Sequence, residues 1–304
     1  MNTYTFPSNL PAIRRTRIQF DAINDAYWVF QHIAGPNSNR PCCSSQIIDD
    51  GILIQQYLAR KQAATRERNE VPAFTHVVVG SDAEVFNLGG DLALFLRCIQ
   101  IGDRATLADY ALRCVKAVAG FQDVAGDGSV HSIAVIQGDA LGGGFEVALS
   151  CNTVIAEEGV QIGFPEVLFG LFPGMGAYSL LKRRISPNQA RRMVLDGRMF
   201  SAEELHALGV IDIVAARGTG MEVASNLVRQ QRRAALAQRT VGKIYADYEA
   251  VSMMELEDLT LRWVDAAMGI TEKNLKTIER IVRAQQRRFA ATEVAGEAAE
   301  QRVR

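Results

Sequence analysis

The stretch VHSIAVIQGDALGGGFEVALS, Val130 to Ser150, constrains this chain more than any other. It opens on a β-branched apolar run of the kind that forms a buried strand, and it closes on residues suited to a helix. Between the two stand Gly142, Gly143 and Gly144, and Glu146 follows almost at once. Glycine is needed where the backbone takes φ > 0, or where another group must touch the main chain. At a strand-to-helix turn, freed N–H groups point outward at the positive end of a helix dipole. Such a turn can bind a phosphate, or it can hold a developing oxyanion. Glu146 then falls in the first helical turn, where a negative charge is tolerated.

The phosphate alternative is disfavoured. No Gly-Lys-Ser/Thr ending is present, and the spacing is not that of a dinucleotide fingerprint. GMGAYS, Gly174 to Ser179, has a Gly-x-Gly, but no apolar strand feeds directly into it.

A second glycine turn occurs in VFNLGGDLALF, Val85 to Phe95, where Asp91 is placed to cap a helix beginning at Leu92. A second carboxylate, Glu166, follows Pro165 among apolar neighbours in IGFPEVLFGLFPGMG. Singly, each has an ordinary explanation: a tight turn, a helix-start charge, a loop glutamate. Together and in this order they point to a site.

Around these motifs the chain alternates strands and helices. TRIQFDAINDAYWVFQHIA predicts a β-hairpin turning near Asn24-Asp25, and QIIDDGILIQQYLARKQAATRER predicts a helix. FTHVVVGS predicts a buried strand, and Leu92 to about Phe121 a helical region broken near Gly102. TVIAEEGVQIGF predicts two short strands around a Glu-Gly turn. Beyond Tyr178 helices dominate, one opened by the capping-box pattern Ser201–Glu204; VIDIVAA is a strand, and a helical tract runs from about Gly220 to Phe289. The pattern predicts an α/β core followed by a helical C-terminal part.

Composition excludes some classes. The 304 residues are 48% hydrophobic with a net charge of −1, so no global charge favours nucleic acid or an anionic membrane. Five scattered cysteines have neither disulfide-frame nor zinc spacing and suit a reducing compartment. With no signal-peptide pattern and no membrane-length apolar run, a cytoplasmic location is expected. No Gly-x-Ser-x-Gly elbow and no His-Glu-x-x-His motif occurs. His76 and His131, beside predicted strands, are expected to be structural. The arginines at 183–184, 191–192 and 229–233 are expected to be solvated faces, with an acidic carrier or a CoA phosphate as the alternative.

VFNLGGDL, QGDALGGGFEVALSCN and IGFPEVLFGLFPGMGAYSLL together resemble the crotonase (enoyl-CoA hydratase/isomerase) superfamily, over about Phe74 to Val214. A closer likeness, carried by SDAEVFNLGGDLALF, HSIAVIQGDALGGGFE, EEGVQIGFPEVLFGLFPGMGAYS, RWVDAAM and VRAQQRR, extends over almost the whole chain. It is similar to the bacterial diffusible-signal-factor synthases, crotonase-fold enzymes that make cis-2-unsaturated fatty-acid signals. The resemblance implies a crotonase-like (ClpP/crotonase) spiral of ββα units. Residues 1–215 would be the catalytic core, 216–290 a helical region for oligomerisation and pocket closure, and 291–304 a disordered tail.

The resemblance further implies catalytic carboxylates at Glu146 and Glu166, and an oxyanion hole from the N–H groups of Leu88 and Gly143. Leu88 stands where that family usually has a small residue. Substrate-binding positions would be Gly89, Gly142, Phe145, Leu171, Met175, Trp263 and Ile281, with plain core packing as the alternative for the last five. No metal or other cofactor is implied; the substrate would arrive as a thioester of acyl carrier protein or CoA. The implied reaction is dehydration of a 3-hydroxyacyl thioester to a cis-2-enoyl thioester, followed by cleavage to the free acid. A homotrimer or dimer of trimers and a docked signalling sensor are the other implied partners. The alternatives are a conventional enoyl-CoA hydratase or isomerase, and a crotonase-fold binding protein that has lost catalysis; two retained glutamates disfavour the latter.

Overall fold

The structure, a computed structural model, describes residues 13–33, 41–285 and 287. The expected tail 291–304 therefore lies outside the described residues.

The predicted hairpin forms from β1 (Arg17–Asp21) and β2 (Ala26–Gln31), antiparallel, with Asp25 in the turn at φ 44°. A long helix, α1 (Ser45–Glu67), follows; the Ser44 hydroxyl caps it by accepting from Ile47 N. β3 (Thr75–Ser81) is buried throughout. The break expected at Gly102 divides α2 (Leu92–Ile101) from α3 (Arg104–Gln122), with Gly102 left-handed at the C-cap of α2. Next come β4 (Val130–Ile136), the two-residue β5 (Ala140–Leu141) and α4 (Gly143–Ser150).

β6 (Thr153–Glu157) and β7 (Ile162–Gly163) are the two strands predicted around the Glu-Gly turn, but they enter different sheets. A 3-10 helix (Pro165–Phe169) then leads to α5 (Ala177–Leu181), α6 (Pro187–Asp196) and β8 (Met199–Phe200). The Ser201–Glu204 capping box opens α7 (Ala202–Ala207), and β9 (Ile213–Ala215) completes the strands. α8 (Gly220–Arg232), α9 (Ala235–Tyr248), α10 (Met253–Met268) and helical residues 272–285 make up the C-terminal part.

Six strands pair in the order β1-β2-β3-β4-β6-β9, parallel everywhere except the first hairpin. β5, β7 and β8 form a second, small sheet. The chain thus repeats one move: a strand in the large sheet, a short strand in the small one, then helix. The pleat sorts the side chains. Val77 and Val79 face the main core under α1 and α3, while Val78 faces α8 with Ile133 and Ile155. Parallel strands buried on both faces explain the continuous apolar runs in the sequence. The segments leaving the C-terminal ends of β3, β4 and β6 carry all the chemistry-bearing motifs, the edge at which ligands bind in open α/β sheets.

Candidate active site

The first glycine turn follows β3 and is tied down by long-range bonds. Leu88 N–H donates to Pro41 O (2.8 Å), Cys43 N–H to Gly89 O (2.7 Å), and Gly89 N–H to Asn87 Oδ1 (2.9 Å). Leu88 lines the cavity described below, but its N–H is already committed, so the expected oxyanion donor at this position is not free. The neighbouring Gly90 also lines the cavity. A methyl on Gly143 would lie 3.4 Å from Gly90 N, so these two glycines meet backbone to backbone. A Cβ on Gly90 itself would lie 2.4 Å from the Phe95 ring.

The second turn follows β4. Gly142, at the N-cap of α4, has φ 50° and ψ −124°, which a side chain would strain. A Cβ there would also fall 2.0 Å from Glu166 Oε1. The glycine is thus required twice, by backbone and by carboxylate. Gly143 N–H, at the first position of α4, precedes the intrahelical ladder and points out of it.

Glu146 is 1% exposed, and its Oε1 accepts from Met175 N (2.7 Å) and Ala177 N (2.9 Å). Burial pushes its pKa up to about 7, and the two N–H donors hold it from rising further. Glu166 is the second residue of the 3-10 helix; part of it meets solvent, but Oε2 is buried without a hydrogen-bond partner. Burial first, and then the negative charge of Glu146, push the Glu166 pKa up to about 8. Near neutral pH the pair therefore retains a proton, favoured on Glu166, while Glu146 carries the charge its two N–H donors stabilise.

Both carboxylates open onto one apolar cavity of about 240 Å³. Of the expected substrate-binding residues, Gly89, Gly142, Leu171, Met175, Trp263 and Ile281 line it. Trp263 reaches in from α10 and meets Phe95 edge-on, ring centroids 4.9 Å apart. Gly174 makes room for it, since a Cβ there would lie 2.5 Å from the indole. Phe145 is a correction. It is fully buried, turned away from the cavity, and packed on Phe164 at 5.0 Å. Adjacent residues of a helix point about 100° apart, so Glu146 facing the cavity sends Phe145 into the core. Sequence reasoning missed Gly90, Phe95, Tyr110 and Cys114 in the cavity wall.

The histidines are structural, as expected. His76 Nε2 bonds Gln231 Oε1 and His131 Nε2 bonds Thr153 Oγ1, both at 2.9 Å, and burial lowers both pKa values, to about 4 and about 3. Arg184 pairs with Asp212 (3.1 Å) and Arg183 Nε donates to Glu249 O (2.8 Å), whereas Arg191 and Arg192 are exposed.

The fold and this site define a crotonase-type protein: glycine-turn amides and two glutamates around an apolar cavity. Residues 60–257 match the enoyl-CoA hydratase/isomerase family, and the chain belongs to that family. It is 31% identical over 161 residues to the peroxisomal fatty acid beta-oxidation multifunctional protein AIM1 of Arabidopsis thaliana. That match takes in 53% of this chain and 21% of the relative, so the chain spans about a fifth of that protein's length. Among solved structures, an enoyl-CoA hydratase of Bacillus halodurans superposes with TM-score 0.70 at 18% identity, covering 87% of this chain and 98% of that one. Pseudomonas aeruginosa DspI superposes with TM-score 0.61 at 22% identity, covering 85% and 97%. These likenesses establish the fold. Among the described residues, no helix is long and apolar enough to cross a membrane.

Proposed function

We propose that this chain dehydrates a medium-chain 3-hydroxyacyl thioester, with Glu166 as the base at Cα and Glu146 as the acid at the β-hydroxyl. The observation that carries the reading is the convergence of two carboxylates of raised pKa on one apolar cavity beside two glycine turns. We assign the oxyanion hole to the N–H groups of Gly90 and Gly143, since that of Leu88 is spent on Pro41.

In the forward step the Glu166 carboxylate takes the Cα proton, and the electron pair delocalises onto the thioester oxygen. Two amide donors stabilise that charge, and losing one costs about 100- to 1000-fold in rate. The electron pair then returns to form the Cα=Cβ double bond as the Cβ–O bond breaks, and Glu146 supplies the proton with which hydroxide leaves as water. The step ends with Glu166 protonated and Glu146 ionised, the arrangement that the surroundings of each group favour. Dehydration therefore runs toward the resting protonation state, and hydration starts from it.

The finer reading rests on the sequence resemblance to diffusible-signal-factor synthases. In it the substrate is carried by acyl carrier protein, the product is the cis-2-enoyl thioester, and water attacking its carbonyl in the same hole releases the free acid and the carrier thiol. Assembly as a trimer or dimer of trimers, and docking of a signalling sensor, belong to the same reading. A conventional enoyl-CoA hydratase is the second reading, favoured by the family match and by a resting pair already protonated for hydration.

Purified protein given 3-hydroxydodecanoyl-acyl carrier protein, and separately the CoA thioester, distinguishes them when products are resolved by chromatography and mass spectrometry against cis and trans standards. Free cis-2-dodecenoic acid, absent with Glu146→Gln, is the expected result. A trans-2-enoyl thioester without release supports the conventional hydratase. No turnover of either thioester overturns both.

A further inference from the structure

Behind the catalytic cavity lies a second, smaller void of about 40 Å³, bounded by α1, α3 and the face of the large sheet. Two side chains belong to the walls of both: Met175, on the turn that holds Glu146, and Cys114, on α3. A thioether and a thiol thus stand where the two voids meet. Methionine has three rotatable bonds and repacks readily, so it is suited to a partition that must yield.

Gly51 gives this void its significance. It lies inside α1, on the inward stripe with Ile47, Ile54 and Leu58, where glycine weakens a helix relative to alanine. Its backbone is helical and not left-handed, so conformation does not demand glycine. Packing does not demand it either, because a Cβ at this position meets no atom within 4 Å. Gly120, on the facing helix, differs: a Cβ there would strike the Gln55 side chain at 2.2 Å. Gly51 instead forms part of the wall of the second void, and the space a Cβ would occupy there is open. Most of the remaining wall is aliphatic or aromatic, including Ile48, Val79 and Phe121. Gln31 is a polar point in it, with a buried Nε2 that has no hydrogen-bond partner.

Resting on the acyl-thioester reading above, we infer that the second void receives the ω-end of the acyl chain, with Met175 and Cys114 as its gate and Gly51 as the residue that sets the longest chain accepted. The void has room for the last carbons of a chain and not for a whole one. The preferred substrate is thus a medium-chain acyl group that fills the catalytic cavity and passes its terminus beyond Met175. A shorter chain stops before the gate and is indifferent to residue 51.

The test uses the full-length protein with Gly51→Val and the milder Gly51→Ala, which replaces a helix-interior glycine with a better helix former and keeps the fold. Two measurements are made over a series of straight chains: binding of free fatty acids by calorimetry, and kcat/KM for the 3-hydroxyacyl thioesters. The expected result is a loss of about tenfold or more in both for the longest chain the wild type accepts, the scale of a methylene excluded from a fitted pocket. Chains several carbons shorter stay unchanged, and Gly51→Ala shows the same shift to a smaller degree. Cys114→Ala moves the limit upward. Variants that weaken all lengths alike, or none, overturn the inference. A length shift in fatty-acid binding without thioester turnover would sink the proposed reaction and leave this inference standing. Turnover with an unmoved length limit would do the reverse.

Discussion

Glu157, at the end of β6, and the Glu146–Glu166 pair around the cavity put the same side chain into the same core for different ends. Glu157 is 5% exposed, and both its oxygens are engaged: Oε2 accepts from Gly218 N (2.7 Å) and Oε1 from Gly220 N (2.8 Å), at the start of α8. A buried charge so held, at the positive end of a helix, fastens α8 to the sheet. Around the cavity the accounting is left open. Glu146 is held through Oε1, and Glu166 buries an oxygen that bonds nothing. Burial without full satisfaction raises both pKa values into the range where a proton can be exchanged near neutral pH. A satisfied carboxylate is an anchor; an unsatisfied one facing a void is poised to react.

Glutamine substitutions separate the anchoring glutamate from the reacting pair. Glu146→Gln and Glu166→Gln are each expected to lower kcat by about 10²–10⁴-fold, the contribution of a placed general acid or base, with the circular dichroism spectrum unchanged. Glu157→Gln is expected to keep kcat and lose about 1–3 kcal/mol of stability in denaturant titration, because its amide cannot satisfy both glycine N–H groups. Interchanged outcomes would mean that anchor and acid–base roles have been assigned to the wrong glutamates.

Gly142→Ala is next in size. The added methyl meets a left-handed backbone and Glu166 Oε1 at once. The variant should lose about 100-fold in kcat/KM, as when one oxyanion donor is misplaced, and stopped-flow or steady-state kinetics reads this out. The pH profile is a gentler probe. Turnover requires one proton on the pair, so kcat/KM should be bell-shaped, falling on the acid side as the pair becomes doubly protonated and on the alkaline side as it becomes doubly ionised. The limbs should lie near the apparent values of about 7 and about 8.

Stability carries the smallest of these signals. The folded-state pKa of Glu166 is raised from 4.5 to about 8, so its contribution to stability is fully present below the lower value and is lost as pH rises through the upper one. Glu166→Gln removes that loss. Its Tm should match the wild type at pH 4 and exceed it at pH 9, by differential scanning calorimetry.

Much of the fold was legible because its signals are local. Buried parallel strands announce themselves as β-branched runs, Asp91 and Ser201 as caps, and Gly102 as a break. Of the small sheet only β7 was legible, as the second strand around the Glu-Gly turn; β5 and β8 have two residues each and no periodicity to read, and the departure of β7 from the large sheet depends on its long-range pairing. Within the site, the glutamates and the glycine turns stood out as polar or flexible residues in apolar surroundings. The assignment of Leu88 failed on one long-range bond to Pro41, and that of Phe145 on which way a helix is rotated. Phe95, Tyr110 and Cys114 have the inward periodicity of any core helix residue; which inward face borders a void depends on how three helices meet over the sheet.

The proposed reaction stands on Glu166 exchanging a proton with Cα of a bound acyl thioester. The direct measurement is incorporation of deuterium at C2, by mass spectrometry, after incubation of the enzyme with a medium-chain 3-hydroxyacyl thioester in D2O. Wild type should label the recovered 3-hydroxyacyl thioester at C2, and Glu166→Gln should not, while still binding the thioester. Labelling that persists in Glu166→Gln at the wild-type rate would contradict the account.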